Sequence, residues 1–192
     1  MKKILLLILF TSNLAWAEKN SDLISEFPPQ VEAMIEKFPY TFYLLRDCFA
    51  FPKINIKACE QLAEVDHPGS GYAKHNLGYS YEFGESGYKQ SYADAFYWYL
   101  RAANQGLERS QHNLARMYEF GLGIQKSHEI AYRLYRKASD QGCNKSFERA
   151  AILTLVMLNR QVERGITPYE TKLEFMSLLE PWQIKEANHY FD

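Results

Sequence analysis

The chain has 192 residues, with 22 basic and 23 acidic side chains and a net charge of −1. That balance lacks the cationic excess a phosphate-binding surface needs, so nucleic acid is excluded as the main partner. The length suits a single domain with a real core.

Met1-Lys2-Lys3 precede an unbroken apolar run from Ile4 to Phe10, and Ala15-Trp16-Ala17 is a small-x-small triplet. A basic start, a short apolar region and that triplet predict a secretory signal cleaved after Ala17. An uncleaved anchor is the alternative, but the run is far short of the ~20 residues a bilayer span needs. No Cys follows Ala17, so lipid anchoring is not suggested. Cleavage removes Lys2 and Lys3 and leaves 20 basic against 23 acidic residues, a net −3. With no second long apolar run, stable membrane insertion after cleavage is not expected. The style of the leader points to a bacterial periplasm or to secretion, where disulfides persist.

Residues 18–39 read as an N-terminal helical extension. Pro28-Pro29 suits a first turn, and Val31, Met34, Ile35 and Phe38 recur at helical spacing until Pro39. A second helix is predicted over Tyr40 to Phe51, with Phe42, Leu45 and Phe49 on one stripe, and Pro52 breaks it. A third begins near Asn55.

From Lys74 to Gly142 the chain says nearly the same thing twice. His75-Asn76-Leu77 and Tyr81-Glu82-Phe83-Gly84 return 37 residues later as His112-Asn113-Leu114 and Tyr118-Glu119-Phe120-Gly121. Ala95, Tyr99, Ala102 and Gln105-Gly106 return 36 residues later as Ala131, Tyr135, Ala138 and Gln141-Gly142. Such a period predicts stacked supersecondary units. Each unit reads as two helices: Tyr72 to Phe83 and Ser91 to Asn104, then Arg109 to Phe120 and Ser127 to Asp140. Ser91 and Ser127 are the N-caps, and Gly106 and Gly142 the left-handed stops. Ala58, Leu62, Val65 and Gly69 sit 37 residues before their counterparts, so residues 40–70 read as a diverged first unit. The clear units are 71–107 and 108–143.

Periodicity then stops, and 144–192 read as C-terminal capping helices. Lys145 to Val162 carries an apolar stripe of Phe147, Ala150, Ala151, Leu153, Thr154, Met157 and Leu158. Thr167-Pro168-Tyr169-Glu170 reads as a capping box opening a helix to Leu179, and Pro181 opens the last one, to about Tyr190.

Ala73-x-x-x-Leu77-Gly78-x-x-Tyr81-x-x-Gly84, then Ala95-x-x-Trp98-Tyr99-x-x-Ala102-Ala103-x-x-Gly106, resembles the Sel-one-like repeat, a relative of the tetratricopeptide repeats. Ser110-x-x-x-Leu114-Ala115-x-x-Tyr118-x-x-Gly121 and Ala131 to Gly142 match nearly as well, departing at Ala115 for Gly and Leu134 for Trp. The resemblance covers 71–142, is weak over 40–70, and extends to Glu180–Ala187 as a capping helix. It implies an all-α, right-handed α/α superhelical solenoid of antiparallel helix pairs, used as a protein-binding adaptor without catalysis or cofactor.

Cys48 and Cys59 flank Pro52 and are expected at matching depth on two antiparallel helices. A disulfide there would stabilise an end unit by about 3 kcal/mol; two buried free thiols are the alternative. Cys143 follows an inter-repeat turn and reads as tucked beneath it, with an interchain bridge or reactive thiol as alternatives. His75 and His112 occupy equivalent positions that point in parallel, so packing is favoured over metal. Gly121-x-Gly123-x-x-Lys126-Ser127 mimics a phosphate loop but has Gln125 where Gly is needed, and follows a helix. If the first helices line a concave groove, His75, Tyr79 and Glu82 form one stripe and His112, Arg116 and Glu119 the next. That mixed aromatic and charged surface suits a protein or peptide partner in the cell envelope or outside the cell. The alternatives are an envelope hydrolase or thiol-acting enzyme on the terminal helices, and a subunit that packs only with its own copies.

Overall fold

The computed structural model describes residues 56–65 and 69–190. The leader, the helices expected between 22 and 51, and Cys48 lie outside these. Every regular element among the described residues is an α-helix, and the architecture is an all-α repeat solenoid. No helix among them is long and apolar enough to cross a membrane.

Contacts divide the chain into residues 1–73 and 74–192. In the first unit, α1 (Ile56–Ala63) buries Ala58, Cys59, Leu62 and Ala63, the spacing of one helical face. Next along the chain is α2 (Ser70–Phe83), opened by Tyr72 N–H donating to the Gly69 carbonyl.

The second unit takes in the rest of α2 and then α3 (Tyr92–Asn104), α4 (Glu108–Phe120), α5 (His128–Ser139) and α6 (Asn144–Glu163). Two shorter helices close it, α7 (Tyr169–Met176) and α8 (Pro181–Asn188). The expected caps form. Ser91 Oγ accepts from Asp94 N at 3.3 Å and Ser127 Oγ from Ile130 N at 3.4 Å, each satisfying an orphan donor of the first turn. The same two residues lock the loop to the preceding helix, Ser91 N donating to Tyr81 O and Ser127 N to Tyr118 O, both at 2.8 Å. The helix stops repeat as well. Gly106 and Gly142 take φ of 91° and 94°, and just beyond them Leu107 N reaches Ala102 O at 3.3 Å and Cys143 N reaches Ala138 O at 3.2 Å.

The backbone leaves the second stop as it leaves the first, although the sequence repeat ends at residue 143. Ser110 N donates to Leu107 O, and Ser146 N to Cys143 O, so α6 enters as the first helix of a further unit. Its side chains have diverged while its backbone has not. The predicted stripe on α6 is corrected at Phe147, which is 64% exposed; Ala150 and Leu153 of that stripe are buried, as are Ile152, Leu155 and Val156 outside it. One side of α6 puts Ala150 and Leu153 against Ala115, Ala131 and Tyr135. Another puts Ile152, Leu155 and Val156 against Ala187 of α8, with Phe175, Met176 and Ile184 around them. Burial on two sides is what a helix between a stack and its cap requires.

The capping box predicted at Thr167 does not form. Pro168 occupies the N-cap position, and Thr167 Oγ1 turns back to donate to Gln161 Oε1 at 2.9 Å. The true box lies at α8, where Gln183 Oε1 accepts from Glu180 N at 2.9 Å. The helix from Tyr169 ends at Met176 rather than Leu179.

Small residues sit where helices come close. A Cβ placed on Gly78 would stand 2.7 Å from the Tyr99 ring, so α2 and α3 meet at a contact only glycine allows with the ring where it is. Gly123, which a phosphate-loop reading would put beside a ligand, packs instead against the backbone of Tyr92. It has φ of 70°, and a Cβ there would meet Tyr92 at 2.7 Å. Gly123→Ala therefore combines left-handed strain, about 1–2 kcal/mol, with overpacking of similar size. Gly106→Ala carries the strain alone, since nothing lies within 4 Å of its added Cβ. Denaturant melts should rank Gly123→Ala as the less stable variant; equal midpoints would refute the packing assignment.

Candidate functional site

The residues predicted to line a groove are the ones that recur, and the structure brings most of them together inside the stack. Glu82, near the end of α2, is buried; Tyr99 of α3 donates its hydroxyl to Glu82 Oε2 at 2.9 Å. Arg116, from α4, pairs with the other oxygen of the same carboxylate. One unit later the arrangement returns. Glu119 of α4 has no exposed surface, accepts from Tyr135 of α5 at 2.7 Å, and pairs with Arg149 of α6. Arg149 also holds Glu186 of α8, and the Tyr190 hydroxyl joins it on Glu119. Each tyrosine ties the two helices of one pair, and each arginine ties that pair to the next helix in the stack.

The histidines do parallel work. His75 Nδ1 and Ser110 Oγ lie 2.9 Å apart, and His112 Nδ1 and Ser146 Oγ 2.8 Å apart, linking α2 to α4 and α4 to α6. Their rings lie against Tyr99 and Tyr135, with centroids 5.5 and 5.2 Å apart.

This placement corrects the expected stripes. Glu82 and Glu119 are not surface residues, because a tyrosine hydroxyl and an arginine consume their oxygens in the interior. His75, His112 and Arg116 are partly buried and engaged in the same ladder. Tyr79 alone of the six stands well out, at 40% exposure, its ring 4.5 Å from that of Phe83. Sequence reading missed Arg149. It has no counterpart at the repeat spacing, since it reaches its glutamate from a position one helical turn before that of Arg116. Cys59 is fully buried, and the bridge expected from it involves Cys48, outside the described residues. Cys143 is half-buried, and its Sγ accepts from the Ser146 hydroxyl at 3.1 Å.

The electrostatics fit a closed network. Burial, and then the charge of the adjacent glutamate, push the hydroxyls of Tyr99 and Tyr135 well above their ordinary 10, so both remain donors. Burial opposes the charge of Arg149, but its bonds to Glu119 outweigh this and raise it further. A carboxylate buried this way is tolerable only while fully paired. Glu119→Gln leaves the Arg149 charge half-compensated in the interior and should cost about 3 kcal/mol in urea unfolding. A loss below about 0.5 kcal/mol, the range of ordinary surface substitutions, would contradict the network.

Burial, then Arg109, lowers His75 from 6.5 to about 4. His112 is lowered by burial and Arg116, and His128 by burial and Arg160. These groups take up protons more readily when unfolded. The stability they contribute is complete above pH 6.5 and is lost as pH falls toward 4. The thermal midpoint should drop steadily across that window; a flat profile would mean the imidazoles protonate in place.

The family description "Sel1 repeat" matches residues 71–107 and 109–143. A crystal structure of a Sel1 repeat protein from Oxalobacter formigenes superposes with a TM-score of 0.51 at 27% identity, covering 71% of this chain and 96% of that one. A protective antigen of uropathogenic Escherichia coli with an SLR fold has a TM-score of 0.34 at 17% identity, over 81% of this chain and 44% of its own. The chitin synthase regulator SKT5 of Saccharomyces cerevisiae is 40% identical over 55 residues, 29% of this chain. The chain spans only 8% of that yeast protein's length. With two family matches in tandem and a helix-pair stack that agrees with a solved member, residues 71–107 and 109–143 are two Sel1-like repeats.

Proposed function

We propose that the protein is a non-catalytic scaffold of a bacterial envelope, periplasmic or secreted, that engages another protein through the aromatic residues its repeats leave exposed. Sel1 repeat proteins generally mediate protein–protein interaction. The observation that carries the reading here is the pair Phe83 and Phe120. They occupy the same position in successive units, at the ends of α2 and α4, and each is 50% exposed. Scattered surface aromatics need no explanation. A pair recurring at the repeat spacing, with the Tyr79 ring packed beside the first, matches the aromatic anchors that dominate binding energy at interfaces. The polar ladder residues are spent on packing, so recognition falls to the positions between them. The leader expected over residues 1–17 supports the location.

The enzyme reading looks to Cys143, yet the Cys143 thiol is engaged by Ser146, and a cleft near the C-terminal cap is lined by Phe120, Lys126, Glu186, His189 and Tyr190 instead.

The double variant Phe83→Ala, Phe120→Ala should keep its thermal midpoint within a few degrees, since both rings are half in solvent. It should lose partner capture from the native envelope fraction by about 30-fold, as a hot-spot pair would. The captured wild-type chain should begin at Glu18. Capture by the double variant equal to wild type would reject the interface, and a chain that still begins at Met1 would reject the location.

A further inference from the structure

The cleft beside the cap has a volume of about 350 Å³, at the lower end of the range for small-ligand sites and sufficient for one or two side chains. Its walls come from three places in the fold: Phe120 at the end of α4, Lys126 in the following loop, and Glu186, His189 and Tyr190 on and after α8. The charges there are unequally satisfied. Glu186 is held by Arg149, and the deeper Glu119 is held by Arg149 and two tyrosine hydroxyls. Arg149 also lies over the Phe120 ring, 5.7 Å from its centroid. Lys126 is different. Its ammonium stands 5.6 Å from the Tyr190 centroid, and no carboxylate among the described residues pairs with it. The cleft thus offers two aromatic walls and one cation that no carboxylate contacts, beside a glutamate already bound to Arg149.

We infer that this cleft receives an acidic side chain, with an apolar neighbour, from a peptide segment of the partner protein. The carboxylate pairs with Lys126, and the apolar neighbour lies on Phe120 and Tyr190. The inference rests on the protein-binding reading above and names the chemistry of the partner at one of its two exposed phenylalanines. Charge complementarity selects the occupant. A basic segment would face Lys126 unpaired, and a purely apolar one would desolvate an ammonium without compensation.

The test uses the whole mature chain as bait for a random peptide display library, followed by titration of one selected peptide. The selected sequences should share an Asp or Glu beside an apolar residue. Changing that acid to its amide, or Lys126→Glu in the bait, should each weaken binding about three- to tenfold at low salt, the range for a rim ion pair. A lysine in the peptide's acidic position should restore binding to Lys126→Glu. Phe120→Ala should weaken the acidic and amide peptides alike. Unchanged affinity in Lys126→Glu would mean an ordinary solvated lysine and overturn the inference, as would binding indifferent to Phe120→Ala. Either result leaves the broader protein-binding reading standing, since that is judged by envelope capture with the Phe83 and Phe120 double variant. A library that yields no binder also overturns the peptide inference and leaves the envelope capture to judge the rest.

Discussion

A carboxylate buried between helices must find all its partners or the stack cannot close around it. Glu82 and Glu119 meet that demand in the same way, with a tyrosine hydroxyl from their own helix pair and an arginine from a helix of the next. The apolar contacts around them are made largely of alanine and leucine, which fit many registers. The glutamates fit one. A slip of the stack by a turn would strand an ion in the interior, at a cost comparable with a large part of a domain's net stability. The ladder therefore sets register, and the small residues, Gly78 foremost, set how closely the helices approach.

The cap is drawn into the same logic. Arg149 reaches both Glu119 in the last clear repeat and Glu186 in α8, while Tyr190 contributes its hydroxyl to Glu119. The end of the stack is thus joined to its cover by ions as well as by Ile152, Leu155, Val156 and Ala187. Where those ions come to the surface, beside Phe120, Lys126 stands over the Tyr190 ring with no carboxylate among the described residues in contact.

Much of this fold was legible in the sequence, because its signals are local. Ser91 and Ser127 announce helix starts, Gly106 and Gly142 announce stops, and the doubled segment announces stacking. What remained hidden depends on distance. Glu82 follows His75 by seven residues, as a surface stripe would, and nothing nearby tells that Tyr99, 17 residues on, will take its oxygen. Periodicity finds a face and does not tell whether the face is wet. Arg149 escaped because it does the work of Arg116 from a different turn, so repeat alignment leaves it unmatched. The continuation into α6 escaped because it is written in backbone bonds at Cys143 and Ser146 rather than in side chains. Phe147 was placed inside for its character alone, although Ser146 and Ala150 take the buried positions on either side of it.

The two seams, at Leu107 and at Cys143, carry the same backbone bonds and the same histidine–serine link. Residues 107–142 thus behave as a cassette with matching ends. A second copy inserted after Gly142 would bring its own Arg116 to the existing Glu119, and its own Glu119 to the original Arg149. Every buried charge would still be met. The number of units is therefore a free variable of this architecture, and lineages can lengthen or shorten the array by whole repeats without redesigning either end.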